Sequence, residues 1–173
     1  MLSERFGMLR SQLKLLIFVL TFLAAVPSFS RAGKAPESIA VLDSLTGDST
    51  ISRGSVVYVD FWASWCVPCR MSFPWMMKLL DEYGDKGLQV IAINVDRDRD
   101  AARKFLDDTH ASLDIVYDPA GKLAKLYDLQ VMPTSFVYGR DGSLRSREDG
   151  FNPNETDSVE RLIRTLLEEK AAK

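Results

Sequence analysis

The chain has 173 residues, 46% of them hydrophobic and 27% charged, a balance that supports a packed domain and excludes disorder as the main state. Its 22 basic and 24 acidic residues leave a net charge of −2, which excludes a nucleic-acid partner held by charge. Two cysteines exclude a disulfide-dense scaffold, and the single histidine, His110, excludes a site built from several histidines.

Residues 1–30 have the layout of an export signal. Arg5, Arg10 and Lys14 precede an apolar run from Leu15 to Val26, and small residues follow around Ser28 and Ser30. A cut fits after Ser30 or after Ala32. The run is shorter than the roughly twenty residues of a membrane span. Retention as an inner-membrane tether is the alternative to cleavage. Either way the chain is expected outside the cytoplasm, in a periplasm-like compartment. Residues 31–37 read as a linker, and 38–170 as one domain.

Within that domain, Ser38–Leu42 reads as a short edge strand and Thr46-Gly47-Asp48 as a turn. Val56–Phe61 is β-branched and aromatic, hence a buried strand. A helix is predicted from the cysteines to Tyr83, bent by Pro74. Leu88–Val95 is a second buried strand. Asp98 or Asp100 caps a helix carrying Phe105 and Leu106. Asp96-Arg97-Asp98-Arg99-Asp100 has the spacing that opens a calcium loop, but Ala101 stands where that loop requires glycine. Capping and solvated charge account for it. Ile115–Tyr117 is a short strand. Ala120–Tyr127 is a short helix with Leu123, Leu126 and Tyr127 on one face. Ser135–Tyr138 and Leu144–Arg147 flank Gly139-Arg140-Asp141-Gly142 as a hairpin. Asn154–Lys170 is an amphipathic helix through Val159, Ile163 and Leu166. The fold class is α/β, a central mixed sheet with helices on both faces.

The chemistry lies in Cys66-Val67-Pro68-Cys69. Two cysteines two residues apart, at a strand-to-helix junction, make a redox pair. Unpaired amides and the positive end of the helix favour a thiolate at Cys66, and Cys69 lies one turn on. Pro68 stiffens the first turn at a position where its missing N–H costs no bond. Zinc would require more ligands. Two thiolates suffice for Cu(I), so a copper chaperone is the alternative reading.

Asp60-Phe61-Trp62-Ala63-Ser64-Trp65-Cys66-Val67-Pro68-Cys69-Arg70 resembles the active-site segment of the thioredoxin superfamily. Pro74 matches that family's helix-kinking proline, and Val131-Met132-Pro133-Thr134 its cis-proline loop. The long segment between Asn94 and Leu126 resembles the strand–helix insertion of the TlpA-like and ResA-like branch of exported thiol–disulfide oxidoreductases. The resemblance implies a thioredoxin-like fold and exchange of disulfides with protein substrates, more as reductant than oxidant. It implies no dissociable cofactor and no metal. It also implies a monomer fed by a membrane electron donor of the DsbD type.

Carried over residue by residue, Cys66 is the exposed nucleophile and Cys69 the buried resolving thiol. Asp60 takes the Cys69 proton, and its pKa should be raised by burial. Trp65, Val67, Pro68, Met132 and Pro133 hold the substrate, with the Met132 backbone pairing to it as one strand pairs to another. Trp62 packs beneath the site. Thioredoxin has a lysine near the buried acid, where the register here places Ala92. Members of the TlpA-like branch carry a glutamate at the position of Ser72, and cytochrome c maturation reductants a Gly-Ala-Pro-Glu loop. This sequence has neither.

Overall fold

The computed structural model describes residues 35–46 and 54–170. The leader read at 1–30 and the turn residues Gly47 and Asp48 lie outside that range. The elements are α1 (Ala40–Thr46), β1 (Val56–Trp62), α2 (Val67–Tyr83), a 3-10 turn (Gly84–Lys86), β2 (Leu88–Asn94), α3 (Arg99–Thr109), β3 (Asp114–Tyr117), α4 (Lys122–Leu126), β4 (Thr134–Tyr138), β5 (Leu144–Asp149) and α5 (Thr156–Glu168).

The five strands form one sheet in the order β3-β2-β1-β4-β5. β1, β2 and β3 run parallel, whereas β4 and β5 are antiparallel to their neighbours. Every residue of β1 is buried, because this central strand is covered on both faces. Alternation then divides its side chains between two cores. Tyr58 and Trp62 join Phe73 and Met76 of α2, Phe105 of α3 and Ile163 of α5. Val57, Val59 and Phe61 join Leu42 of α1, Leu123 of α4 and Tyr127. The predicted mixed sheet with helices on both faces is therefore present. α3 and β3 supply the expected helix and strand between Asn94 and Leu126, with β3 forming the sheet edge beside β2.

Three expectations are corrected. Ser38–Leu42 is not an edge strand. Ser38 makes one isolated bridge to Ser143, and its hydroxyl then accepts from the Ala40 N–H at 3.3 Å, starting α1. Ile39 and Leu42, three apart, bury together on one helical side. Residues 35–37 do not merely link. Ala35 is buried, the Tyr138 hydroxyl donates to Pro36 O at 3.1 Å, and the Leu144 N–H donates to Glu37 O at 3.0 Å. Leu126 does not share the face of Leu123 and Tyr127. It is 40% exposed, because α4 lasts only five residues and Tyr127 leaves it with non-helical backbone.

Helix ends follow their caps. The Asp98 carboxylate accepts from the Asp100 N–H at 2.9 Å and starts α3. Asp118 does the same for α4, accepting from Lys122 and Ala124 N–H at 2.8 and 2.9 Å. No helix among the described residues is long and apolar enough to cross a membrane.

A cluster of three aromatic rings lies under the end of β1. The Trp62 ring meets Phe73 at 4.9 Å and Phe105 at 4.7 Å, and those two meet at 4.9 Å. Removing one member leaves a hole that its rigid partners cannot close. Phe105→Ala should therefore cost about 3–5 kcal/mol of stability, read as a lower urea midpoint with an unchanged slope.

Candidate active site

β1 ends at Trp62, and a turn in which the Cys66 N–H donates to Ala63 O at 3.1 Å delivers Cys66 to the start of α2. Cys66 is the N-cap residue, with extended backbone. Its sulfur accepts from the Cys69 N–H at 3.2 Å, so a main-chain donor already points at the atom that would carry thiolate charge. Cys66 and Cys69 are joined as a disulfide. Pro68 occupies the second helical position, where no intrahelical acceptor exists for an N–H. Pro74 lies inside the helix on its exposed side. It deprives the Arg70 carbonyl of its helical donor. The Arg70 guanidinium instead lies over Phe105, 4.7 Å from the ring centre.

Exposure separates the two sulfurs less than expected. Cys66 is only 4% exposed and Cys69 is fully covered. Yet Cys66, not Cys69, lines an open groove of about 590 Å³, together with Trp65, Val67, Pro68 and Met132. Across that groove stand Val131 and Leu129. Trp65 is 68% exposed, and exposed Val67 and Val131 add to an apolar rim of the groove. Pro133 is buried behind the groove and does not line it. The Met132–Pro133 peptide bond is cis. The loop is held from behind. The Gly150 N–H donates to Pro133 O at 2.8 Å, and the Thr134 hydroxyl donates to Val131 O at 2.9 Å. Gly150 has φ +88°, a conformation that glycine adopts without strain.

Asp60 stands apart from the groove. It is 1% exposed, on β1, opposite Ala92 of β2 as the register predicts, and opposite Ser135 of β4. Its neighbours at two-residue spacing, Tyr58 and Trp62, belong to the same core as both cysteines. Its Oδ2 has no hydrogen-bond partner. Burial, with no compensating cation, pushes its pKa well above the ordinary carboxylate range.

One residue of the site escaped the sequence reading. In sequence Asp96 reads as one of the capping charges, but it is 5% exposed and turned inward. Its carboxylate accepts from the Ser64 N–H at 2.8 Å, the Ser64 hydroxyl at 3.1 Å and the Asn94 amide at 2.8 Å. It thus ties the end of β2 to the turn that carries Trp65 and Cys66. Its place directly after a buried strand was the available signal. Among the described residues no group of three His, Cys, Asp or Glu side chains is arranged to hold a metal.

The Redoxin family model matches residues 25–163. The thiol-disulfide oxidoreductase ResA of Halalkalibacterium halodurans is 31% identical over 120 residues, 68% of each chain. The ResA of Bacillus thuringiensis subsp. konkukian is 32% identical over 92 residues, 53% of each chain. The chain thus spans about half the length of most curated relatives it matches. A Chlorobium tepidum crystal structure assigned as thiol:disulfide interchange protein DsbE is 44% identical with a TM-score of 0.65, covering 66% of this chain and 82% of that one. The chain belongs to the Redoxin family, in the ResA-like branch of the thioredoxin superfamily. These relatives favour thiol–disulfide exchange over the copper alternative.

Asp96→Ala leaves three donors without their acceptor. It should lower stability by about 2–3 kcal/mol and change the fluorescence of Trp65, which lies next to the braced turn. Asp60 gives a pH signature. A carboxyl with a raised folded pKa binds its proton more tightly folded than unfolded. Its stabilising contribution is whole below about pH 4, the unfolded value, and is lost as pH rises through the folded value. Asp60→Asn should therefore gain on the native chain progressively with pH, reaching on the order of 1–3 kcal/mol in alkaline solution. Urea unfolding across pH measures it.

Proposed function

We propose that this chain is a thiol–disulfide oxidoreductase that exchanges dithiol and disulfide with exported protein substrates. The observation that carries the reading is the Cys66–Cys69 disulfide at the start of α2, with Cys66 alone of the two opening on an apolar-rimmed groove. Relatives named as ResA and DsbE support it.

In the reducing direction, the Cys66 thiolate attacks a sulfur of the substrate disulfide, and one substrate thiolate leaves. Asp60 takes the proton of the Cys69 thiol. The Cys69 thiolate then attacks Cys66 Sγ, re-forming the pair and freeing the second substrate thiolate. Two electrons pass from the chain to the substrate. Trp65, Val67, Pro68 and Met132 offer an extended segment an apolar wall, and Pro133 shapes the loop from beneath. Met132 would present its backbone to the substrate as a strand edge.

We assign the reducing direction on electrostatic grounds. Strongly oxidising pairs owe their potential to a stabilised reduced thiolate. Here the residues between the cysteines are Val67 and Pro68, with no cation. Cys69 lies in an apolar core. Among the described residues, the donor to the Cys66 sulfur is one backbone amide. A reductant outside the cytoplasm needs electrons, so a membrane thiol transporter of the DsbD type is the proposed donor. The basic, apolar and small segments of residues 1–30 support export, by cleavage or as a tether. The chain works as a monomer.

The test is kinetic and redox together. Cys66→Ser should abolish reduction of a peptide disulfide. Cys69→Ser should accumulate a mixed disulfide with the substrate, visible as a mass adduct that dithiothreitol removes. Equilibration with dithiothreitol, followed by Trp65 fluorescence, should give a potential of roughly −250 mV or lower. A potential near the DsbA end, about −120 mV, would reverse the direction. No reversible two-electron transition would overturn the function.

A further inference from the structure

Asp60 lies in a row of residues that crosses the sheet. It pairs with Ser135 across β1 and β4, and Ser135 pairs with Glu148 across β4 and β5. Directly opposed residues of antiparallel strands project to the same face. In the other direction the row is apolar, with Ala92 on β2 and Ile115 on β3. The polar side of the row therefore runs from Asp60 toward β5. Burial falls along it. Asp60 and Ser135 are buried, and Glu148 is half-buried.

A second cavity, of about 290 Å³, covers that end. Tyr58, Trp75, Ser135, Glu148 and Glu155 are among its walls. It shares no lining residue with the groove at Cys66. Tyr58 and Ser135 both line the cavity, and the Tyr58 ring packs edge-on against Trp75 at 5.5 Å. Trp75 Nε1, on a lining residue, is buried without a protein partner, and so is Asp60 Oδ2, which does not line the cavity but pairs in the sheet with the lining residue Ser135. The space far exceeds the ~10–15 Å³ that a water requires, and its walls are polar. The titratable groups around it are Tyr58 on β1, Glu148 and Asp149 on β5, and Glu155 before α5. α2 adds Cys69 and Trp75 to this core, and β2 adds Ala92.

We propose that Glu148 is a proton-relay residue. The proton that Asp60 takes from Cys69 passes to bulk water through Ser135, the Tyr58 hydroxyl and cavity water, with the Glu148 carboxylate as its last protein acceptor. The relay rests on the proposed role of Asp60 as base. Its balance is simple. Cys69 loses a proton, bulk water gains it, and no electrons travel this way. The route resolves a difficulty of the site. Burial favours the neutral form of Asp60, so Asp60 must lose a proton to solvent before it can act as a base. The groove is covered by substrate at that moment, and the cavity is not.

The experiment mixes reduced full-length protein with a peptide disulfide in a stopped-flow instrument, in weakly buffered neutral solution, and follows Trp65 fluorescence. Glu148→Gln should be oxidised about tenfold more slowly than the native chain, a smaller effect than the ~100-fold or more of a group that transfers the reacting proton itself. Added imidazole, a diffusible proton carrier, should restore the rate, and Glu148→Asp should recover most of it without imidazole. Asp60→Asn should stay slow at every imidazole concentration. A Glu148→Gln chain as fast as the native one, or slow and indifferent to imidazole, overturns the relay while leaving Asp60 as base. An Asp60→Asn chain as fast as the native one overturns the role of Asp60 and the relay with it.

Discussion

A carboxyl group on a strand with no exposed residue is the constraint around which this site is organised. Asp60 lies in the middle strand of five, with an apolar neighbour on one side and a serine on the other. Transfer of a charge into such a place is costly unless a partner compensates it. Oδ2 has none. Packing alone would favour an apolar residue there. Retaining a carboxyl at a position with this cost is intelligible if its proton is used. Its strand neighbours Tyr58 and Trp62 share a core with Cys69, and Asp60 does not line the groove at Cys66, which fits the proposed role of base to the inner thiol.

The outer thiol is set by a different kind of restraint. Cys66 belongs to no regular element. It sits between β1 and α2, where a flexible chain would blur the position of the sulfur. Three ties hold this region. The Cys69 N–H meets Cys66 Sγ, Asp96 just after β2 pins Ser64, and Gly150, at the start of the segment leading to α5, pins Pro133 from behind. Each tie joins segments distant in sequence or spans the helix start itself. The groove can therefore keep its apolar rim exposed without collapsing onto it, because its walls are anchored from behind by hydrogen bonds in buried positions.

How much of this was legible in the sequence follows from the range of each interaction. Local chemistry read correctly. The cysteine pair, the Pro68 turn, the Asp98 cap and the 139–142 hairpin each depend on residues within a few positions. Register also read correctly where two buried strands have to align, so Ala92 opposite Asp60 was predictable. Elements that depend on distant partners did not. Ser38–Leu42 has strand-like composition, but Ile39 lies against the hairpin through Gly142, and a serine cap turned the segment helical. Asp96 looked like one charge among five, and only the fold shows that it faces Ser64, 32 residues earlier. The Ser135–Glu148 row was invisible for the same reason, because three strands must pair before it exists.

The groove at Cys66 and the cavity beside Glu148 differ in chemistry in a way that suits their separation. The groove at Cys66 is walled by Trp65, Val67 and Met132, and a substrate that covers it excludes water from the sulfurs. Exclusion strengthens the electrostatics of exchange but would also trap a proton released there. In the proposed mechanism, resolution of the mixed disulfide releases a proton at Cys69 while the substrate is still covalently attached. A site with a single mouth would have to wait for the substrate to leave before that proton could escape. Under the proposed relay, a polar cavity that shares no lining residue with the groove would keep one side dry for sulfur chemistry and the other wet for protons.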